Sequence, residues 1–289
     1  MKNIVIFISC SIILLCAVMN GHASDKIKLL PGFSPTDQRY RHPNLILTKA
    51  LEATIESDGP FEISYFAKPM VRARALIEII KGRVINVHIA ATRDEWEKNT
   101  IPIRIPILKG LLGYRLLLVH KKELESFKSL HDIETLKRFK AGSGSQWTTT
   151  KVLKKSGFNV VAGTDYEGLF TMLNAHRFDY FPRGVNEIFH EFDSRKEKYP
   201  NINIEPTKIL YFPTPSYFFV SPKYPLLADR IRRGLETIIR NGMFDTLFKE
   251  KYGDIILRAK FNDKKILKID NPFLSPETPL DRSELWFSP

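Results

Sequence analysis

The chain has 289 residues, with 44 Lys and Arg against 32 Asp and Glu, a formal net charge of +12 at pH 7, and 43% hydrophobic and 11% aromatic residues. These proportions exclude a disordered chain, which cannot bury enough apolar side chain to offset its ordering entropy, and they fit one or two globular domains. The basic residues form no dense tract, so nucleic acid is not an expected partner, and both cysteines, Cys10 and Cys16, precede residue 24, which leaves no disulfide or thiolate chemistry beyond it.

Residues 1–23 combine Lys2, an apolar run from Ile4 to Val18, and Gly21-His22-Ala23, with small residues three and one before a cut. That layout reads as a secretory signal peptide cleaved after Ala23. As a membrane anchor the run falls short of the ~20 residues a spanning helix needs. Lipidation at Cys16 is disfavoured by the bulk of Leu15. The expectation is a periplasmic protein.

From Ile27 to Leu30 a short apolar run stops at Pro31-Gly32, which predicts a strand. Leu47, Ala50, Leu51, Thr54 and Ile55 share one helical face. After Asp58-Gly59-Pro60 comes an alternating strand, Phe61 to Phe66, and then a helix with Ala73, Leu76, Ile77 and Ile80 on one side, ended by Gly82. Ile85 to Ala90 is a third strand, and this β-α-β-α-β series predicts a largely parallel sheet covered by helices. The pattern breaks up from Arg93 to Pro106 and resumes with the apolar strand Tyr114 to Val119. A second cycle follows: a short helix (Asp132 to Arg138), a turn (Ala141 to Ser145), a helix (Trp147 to Lys155), a strand (Asn159 to Ala162), a helix bearing Leu169, Phe170 and Leu173, a strand (Phe178 to Phe181), and a helix bearing Ile188, Phe189 and Phe192. The strands Ile202 to Tyr211 and Tyr217 to Val220 precede a long amphipathic helix from Leu227 to Ile239. The proline-rich stretch from Asn271 reads as an extended surface arm.

Two such cycles predict an α/β fold of two lobes, each a mixed sheet flanked by helices, with a ligand cleft between them. The expected division is residues 24–115 for lobe 1, 116–219 for lobe 2, and 220–289 returning to lobe 1 with the C-terminal arm.

Four features could serve such a cleft. The Gly142-Ser143-Gly144-Ser145 turn before Trp147-Thr148-Thr149-Thr150 offers close backbone approach, hydroxyls and helix N-terminal amides suited to an anion; an ordinary capped loop has the same composition. Arg183, at the end of the Phe178 to Phe181 strand, lies where doubly wound sheets place ligand contacts, and its fork suits a carboxylate or phosphate; a salt bridge to Glu187 is the alternative. Arg93 holds the comparable place after the third strand, against a surface pair with Asp94 or Glu97. Tyr65, Phe66 and Trp147 offer aromatic walls. Catalytic patterns are scarce: there is no HExxH, no paired Cys/His spacing and no Gly-x-Ser-x-Gly elbow, so neither a metal nor a cofactor is expected and no catalytic residue is assigned.

The Ala91-Thr92-Arg93 step, the Tyr114 to Val119 strand, the Gly-Ser-Gly-Ser segment and the Phe181-Pro182-Arg183-Gly184 step together resemble the bacterial extracellular solute-binding proteins of family 3. That family has the type II periplasmic-binding fold and includes amino-acid receptors of ABC transporters. GLLGYR (Gly110 to Arg115) and FDYFPRGVNEI (Phe178 to Ile188) are similar to a divergent subgroup. The resemblance implies that Arg93 grips a ligand carboxylate, assisted by amides and hydroxyls at Ser143, Gly144 and Ser145. In the family a carboxylate at the second lobe's strand end takes the ligand amine; this chain has Arg183 in that neighbourhood, with Asp179 earlier in the strand. A ligand with two acidic groups, or one without an ammonium, is therefore expected. The expected partners are a small molecule and an ABC permease or membrane sensor, with the receptor itself a monomer and not an enzyme. The competing readings are a periplasmic enzyme on the same scaffold, such as a dehydratase, and a partner-binding module without a small ligand.

Overall fold

The computed structural model describes residues 24–32 and 39–289, so the expected signal segment at residues 1–23 lies outside the described residues. Among the described residues no helix is long and apolar enough to cross a membrane.

The first body opens with β1 (Asp25–Leu29), α1 (Arg41–Glu52), α2 (Ile55–Asp58), β2 (Phe61–Tyr65), α3 (Arg72–Lys81) and β3 (Val87–Ala91). β1 and β2 pair in parallel, as a βαβ crossover requires. The stretch without clear pattern forms α4 (Asp94–Asn99) and β4 (Ile101–Ile103). β4 lies at the edge of a three-stranded sheet, β3-β10-β4, where Pro102 can be accommodated without a missing ladder bond.

The second body contains β5 (Tyr114–His120), α5 (Leu124–Lys128), α6 (Ile133–Lys137), β6 (Lys140–Gly144), α7 (Thr148–Lys155), β7 (Asn159–Gly163), α8 (Tyr166–Asn174), β8 (Tyr180–Gly184), α9 (Val185–Asp193) and β9 (Ile202–Tyr211). The chain then returns through β10 (Ser216–Val220) and α10 (Pro225–Arg240) to the first body. It ends with α11 (Met243–Ala259), β11 (Lys265–Lys268) and the arm. The second sheet has six strands in the order β11-β9-β5-β8-β6-β7 and is mixed: β5 runs antiparallel to both β8 and β9, while β6 is parallel to β7 and β8. Apolar clusters cover both of its faces, one centred on Leu116, Phe170 and Phe181 and the other on Leu117, Val152 and Tyr180.

The C-terminal region divides differently from the expected return of residues 220–289 to the first lobe. α10 packs on α1, and Gly234 lets the two helices approach so closely that a Cβ there would lie 2.0 Å from the Ala50 carbonyl oxygen. Phe248 and Tyr252 of α11, however, join the core of the six-stranded sheet, and β11 pairs in parallel with β9. The arm is laid across the connections between the bodies. Asn271 Nδ2 donates to the Pro213 carbonyl (2.8 Å), Phe287 N donates to the Lys109 carbonyl (2.7 Å), and the Trp286 ring sits over Gly110.

The turn expected at Ala141 to Ser145 is strand β6 through Gly144. Gly142 and Gly144 are needed there for space and not for turning: a Cβ on Gly142 would lie 2.2 Å from the Phe178 ring, and one on Gly144 would lie 2.4 Å from Trp147. Strand β8 likewise extends past Phe181 to include Pro182, Arg183 and Gly184. Gly142→Ala is expected to lower unfolding stability by about 1–3 kcal/mol, the usual cost of overpacking, measured by urea denaturation; an unchanged midpoint would show that Phe178 can move aside.

Candidate functional site

Between the two bodies lies a cavity of about 590 Å³, within the range that holds a small organic molecule. Among the described residues, five arginines line it (Arg39, Arg72, Arg93, Arg115 and Arg183), with one carboxylate, Glu187. The first body supplies Arg39, Arg72, Ala91 and Arg93, the second supplies Arg115, Trp147, Thr148, Thr149 and Arg183, and Thr214 comes from a connection between them.

Arg93 follows β3 directly and caps α4. Its segment is fixed by Thr92 N, which donates to the Pro215 carbonyl (3.0 Å), and by fully buried Trp96. From that base the guanidinium reaches across the cavity, where its NH2 donates to Thr148 Oγ1 at 3.0 Å. Glu95, half-exposed, is 3.9 Å away, and Arg93 Nε is buried with no hydrogen-bond partner. Thr148 opens α7, whose N-cap residue Trp147 makes no side-chain cap, so the first-turn amides of the helix are uncapped where Thr148 and Thr149 line the cavity.

Arg115, on the otherwise apolar strand β5, is almost fully buried, sits 5.7 Å from the Phe212 ring, and also has a buried Nε without a partner. Burial pushes its pKa down to about 10, with Glu187 at 4.0 Å opposing the shift and Arg183 adding to it. It stays charged at neutral pH. Arg72 is lowered by burial and then by the positive charge of Arg93.

Arg183 behaves differently. Its Nε and NH2 donate to the two oxygens of Glu191 at 2.7 and 2.5 Å, and Glu187 is 3.0 Å from NH2. The guanidinium is stacked near Trp147 (4.7 Å) and Phe181 (4.9 Å). Burial works against the cation, but Glu187 and Glu191 outweigh it and its pKa is raised. The sequence alternative of a pair with Glu187 is present, and the main partner is Glu191, one turn further along α9. Arg183 therefore forms part of the cavity wall with its charge already compensated.

Of the eight sequence candidates, Arg93, Arg183 and Trp147 line the cavity. Ser143 does not: its buried hydroxyl is hydrogen-bonded to Thr150 Oγ1 (2.7 Å), which also donates to the Gly144 carbonyl (2.6 Å). Gly144 supports the Trp147 ring, and Ser145 N donates to the Gly163 carbonyl (2.8 Å). Tyr65 is exposed, with its hydroxyl accepting from Asn44 Nδ2 at 3.3 Å, and Phe66 packs against the core around Trp96. The sequence pattern does not single out Arg72, Arg115 or Thr214. A lone arginine in the run Tyr-Arg-Leu-Leu-Leu-Val was the available signal for Arg115, whereas Arg72 and Thr214 carry none.

No protein-family model matches the chain, and no curated protein matches it in sequence. Solved structures do match in fold. An ancestral arginine-binding protein bound to arginine superposes with TM-score 0.51 at 18% identity, over 79% of this chain and 99% of that one. The probable amino-acid ABC transporter extracellular-binding protein of Bacillus subtilis gives 0.55 at 16%, over 80% and 99%. A periplasmic binding protein of Salmonella typhimurium, described as highly arginine-specific, gives 0.52 at 14%, over 79% and 99%. The chain thus has the two-lobed fold of periplasmic substrate-binding proteins.

Removing Glu191's charge is expected to be structural in effect. Glu191→Gln leaves a buried guanidinium short of its partner and should cost about 3–5 kcal/mol of stability in chemical denaturation; a loss below about 1 kcal/mol would return Arg183 to the role of a free ligand anchor. A pH effect follows from two buried histidines. His88, behind Arg72, is pushed down to about 4 by burial and then by Arg72; His42, against Tyr252, is pushed down to about 4 by burial and then by Lys251. Both remain neutral when folded, whereas an unfolded imidazole takes up a proton below about 6.5. Their contribution is complete above that pH and is lost as the pH falls toward 4. Stability measured in urea should drop by about 2 kcal/mol per histidine between pH 7 and 5, and His42→Gln with His88→Gln should flatten that slope.

Proposed function

We propose that this chain is an exported solute-binding receptor whose cleft captures a small, multiply charged anion for ABC-type uptake or for sensing. The observation that carries the reading lies in the described residues of the cavity wall: Arg93 and Arg115 each keep a buried Nε without a hydrogen-bond partner, one on each body, with Arg72 beside them. In this reading the export segment is residues 1–23. The outer lobe is the first body with β10 and α10, and the inner lobe is the six-stranded sheet with its helices.

The solved neighbours described as binding arginine support a receptor role, but the chemistry of this wall argues for a different ligand. A ligand guanidinium or ammonium would meet Arg72, Arg93 and Arg115, and the one lining carboxylate among the described residues, Glu187, is 3.0 Å from Arg183 and 4.0 Å from Arg115. An anion instead meets donors from both lobes: Arg93 and Arg72 on one side, and Arg115, Thr148 and the first turn of α7 on the other. Binding across the cleft favours the closed arrangement because only there do both sets of donors reach one molecule. Arg93 and Thr148, hydrogen-bonded to each other, form the latch that such a ligand would reinforce.

A thermal-shift screen of residues 24–289 tests this. Dicarboxylates, phosphate or phosphonates should raise the melting temperature by about 5 °C or more at a hundred-fold excess over Kd, since a ligand that binds only the folded state stabilises it. Arginine, lysine and polyamines should produce no rise. Arg93→Ala should weaken the best anion by about 2–5 kcal/mol while leaving the unliganded melting temperature nearly unchanged. Stabilisation by arginine or lysine in place of anions would overturn the reading.

A further inference from the structure

At the pole of the six-stranded sheet opposite the cleft, three segments bring one donor each to a common point. Glu123 comes from the turn after β5, His176 from the α8–β8 connection, and Asp179 from the residue before β8. Their donor atoms all lie within 4.8 Å of one another. His176 Nε2 stands 3.1 Å from Glu123 Oε1 and 3.4 Å from Asp179 Oδ1. Despite these short distances His176 Nε2, shielded from solvent, makes no hydrogen bond. Neither carboxylate lies where an N–H would donate to it. The two His176 distances match ligands around one ion, because metal–nitrogen and metal–oxygen bonds of about 2.0–2.2 Å in a tetrahedron set neighbouring donors about 3.3 Å apart.

The surroundings hold these donors in place. The His176 ring is stacked on buried His120, with centroids 4.3 Å apart and planes at 13°, and His120 Nδ1 accepts from Lys122 N at 3.3 Å. The second Asp179 oxygen, Oδ2, accepts from Lys140 N at 2.6 Å, and Asp179 N donates to the Lys140 carbonyl at 2.9 Å, which leaves Oδ1 directed at His176. Such outer hydrogen bonds orient the carboxylates of metal sites. His176 itself follows α8 with φ +52°, a left-handed position that ordinarily goes to Gly or Asn.

We propose that Glu123, His176 and Asp179 form a binding site for a divalent transition-metal ion, with zinc the best match. One imidazole with two carboxylates and no thiolate suits zinc, whereas calcium and magnesium take all-oxygen sets. The three side chains are 19–32% exposed, so a fourth position can be filled by water. The site lies about 13 Å along β8 from Arg183, at ~3.3 Å per residue, and it does not rest on the anion reading of the cleft. Its role is to tie the ends of β5, α8 and β8 together.

The test uses untagged residues 24–289, stripped with chelator and titrated calorimetrically with zinc chloride, with parallel thermal scans. Wild type should take up one equivalent of zinc with a rise in melting temperature, and magnesium at the same concentration should do neither. Glu123→Gln, Asp179→Asn and His176→Asn should each weaken zinc by about 100-fold or more, since even outer-sphere changes cost 10–100-fold. Asn tolerates the left-handed backbone at position 176, and Glu123 lies on an accessible turn, so at least these two variants should fold, as circular dichroism will verify. No uptake by wild type, or uptake unchanged in the folded variants, overturns the site and returns His176 to an ion pair with its two neighbours.

Discussion

Crowding of like charge in the cleft is the constraint on which the functional reading depends. As a general scale, like charges ~7 Å apart at an effective dielectric of 20 repel by about 2 kcal/mol, and burial makes each cation costlier. Both effects act on Arg72 and Arg115, whose pKa values are lowered first by burial and then by other arginines of the same wall. A protein gains nothing in stability from such an arrangement. In the proposed reading it gains affinity for whatever anion relieves it.

The fold divides the arginines into two kinds. Arg183 is fastened to Glu191 by two hydrogen bonds and covered by Trp147 and Phe181, so it shapes the wall and holds α9 against β8. Arg93 and Arg115 each keep a buried Nε without a partner, one on each body. Arg93 already bridges to Thr148, and the C-terminal arm lies over the connecting segments at Lys109, Gly110 and Pro213. In the proposed reading, closure and ligand capture are coupled through these few contacts.

Much of the fold could be read from hydrophobic periodicity, because most strands and helices have one face in a core. The exceptions have physical causes. Gly-Ser-Gly-Ser has the composition of a turn, yet in β6 its glycines make room for Phe178 and Trp147, a requirement that only the packed neighbours reveal. β11 is four residues long and is defined by its pairing with β9, which no local pattern encodes. At the site, Arg93 was legible because it follows a strand at a sheet edge. Arg183 was legible as a position but not as a role, since its charge is cancelled by Glu191, eight residues away on the next helix. Arg72 came to the cleft through tertiary placement alone, and Ser143 left it because its hydroxyl is taken by Thr150.

The central claim is best tested on the arginines themselves. Nitrogen-15 Nε–H correlation spectra of residues 24–289 would be recorded during titration with a four-carbon dicarboxylate and with inorganic phosphate, with free arginine as the comparison. An anion-seeking cleft requires the Nε signals of Arg93 and Arg115 to shift together and saturate with one of the anions, while that of Arg183, already donated to Glu191, stays nearly fixed and free arginine moves none of them. Saturable shifts with free arginine, or anion shifts confined to surface arginines, would contradict it.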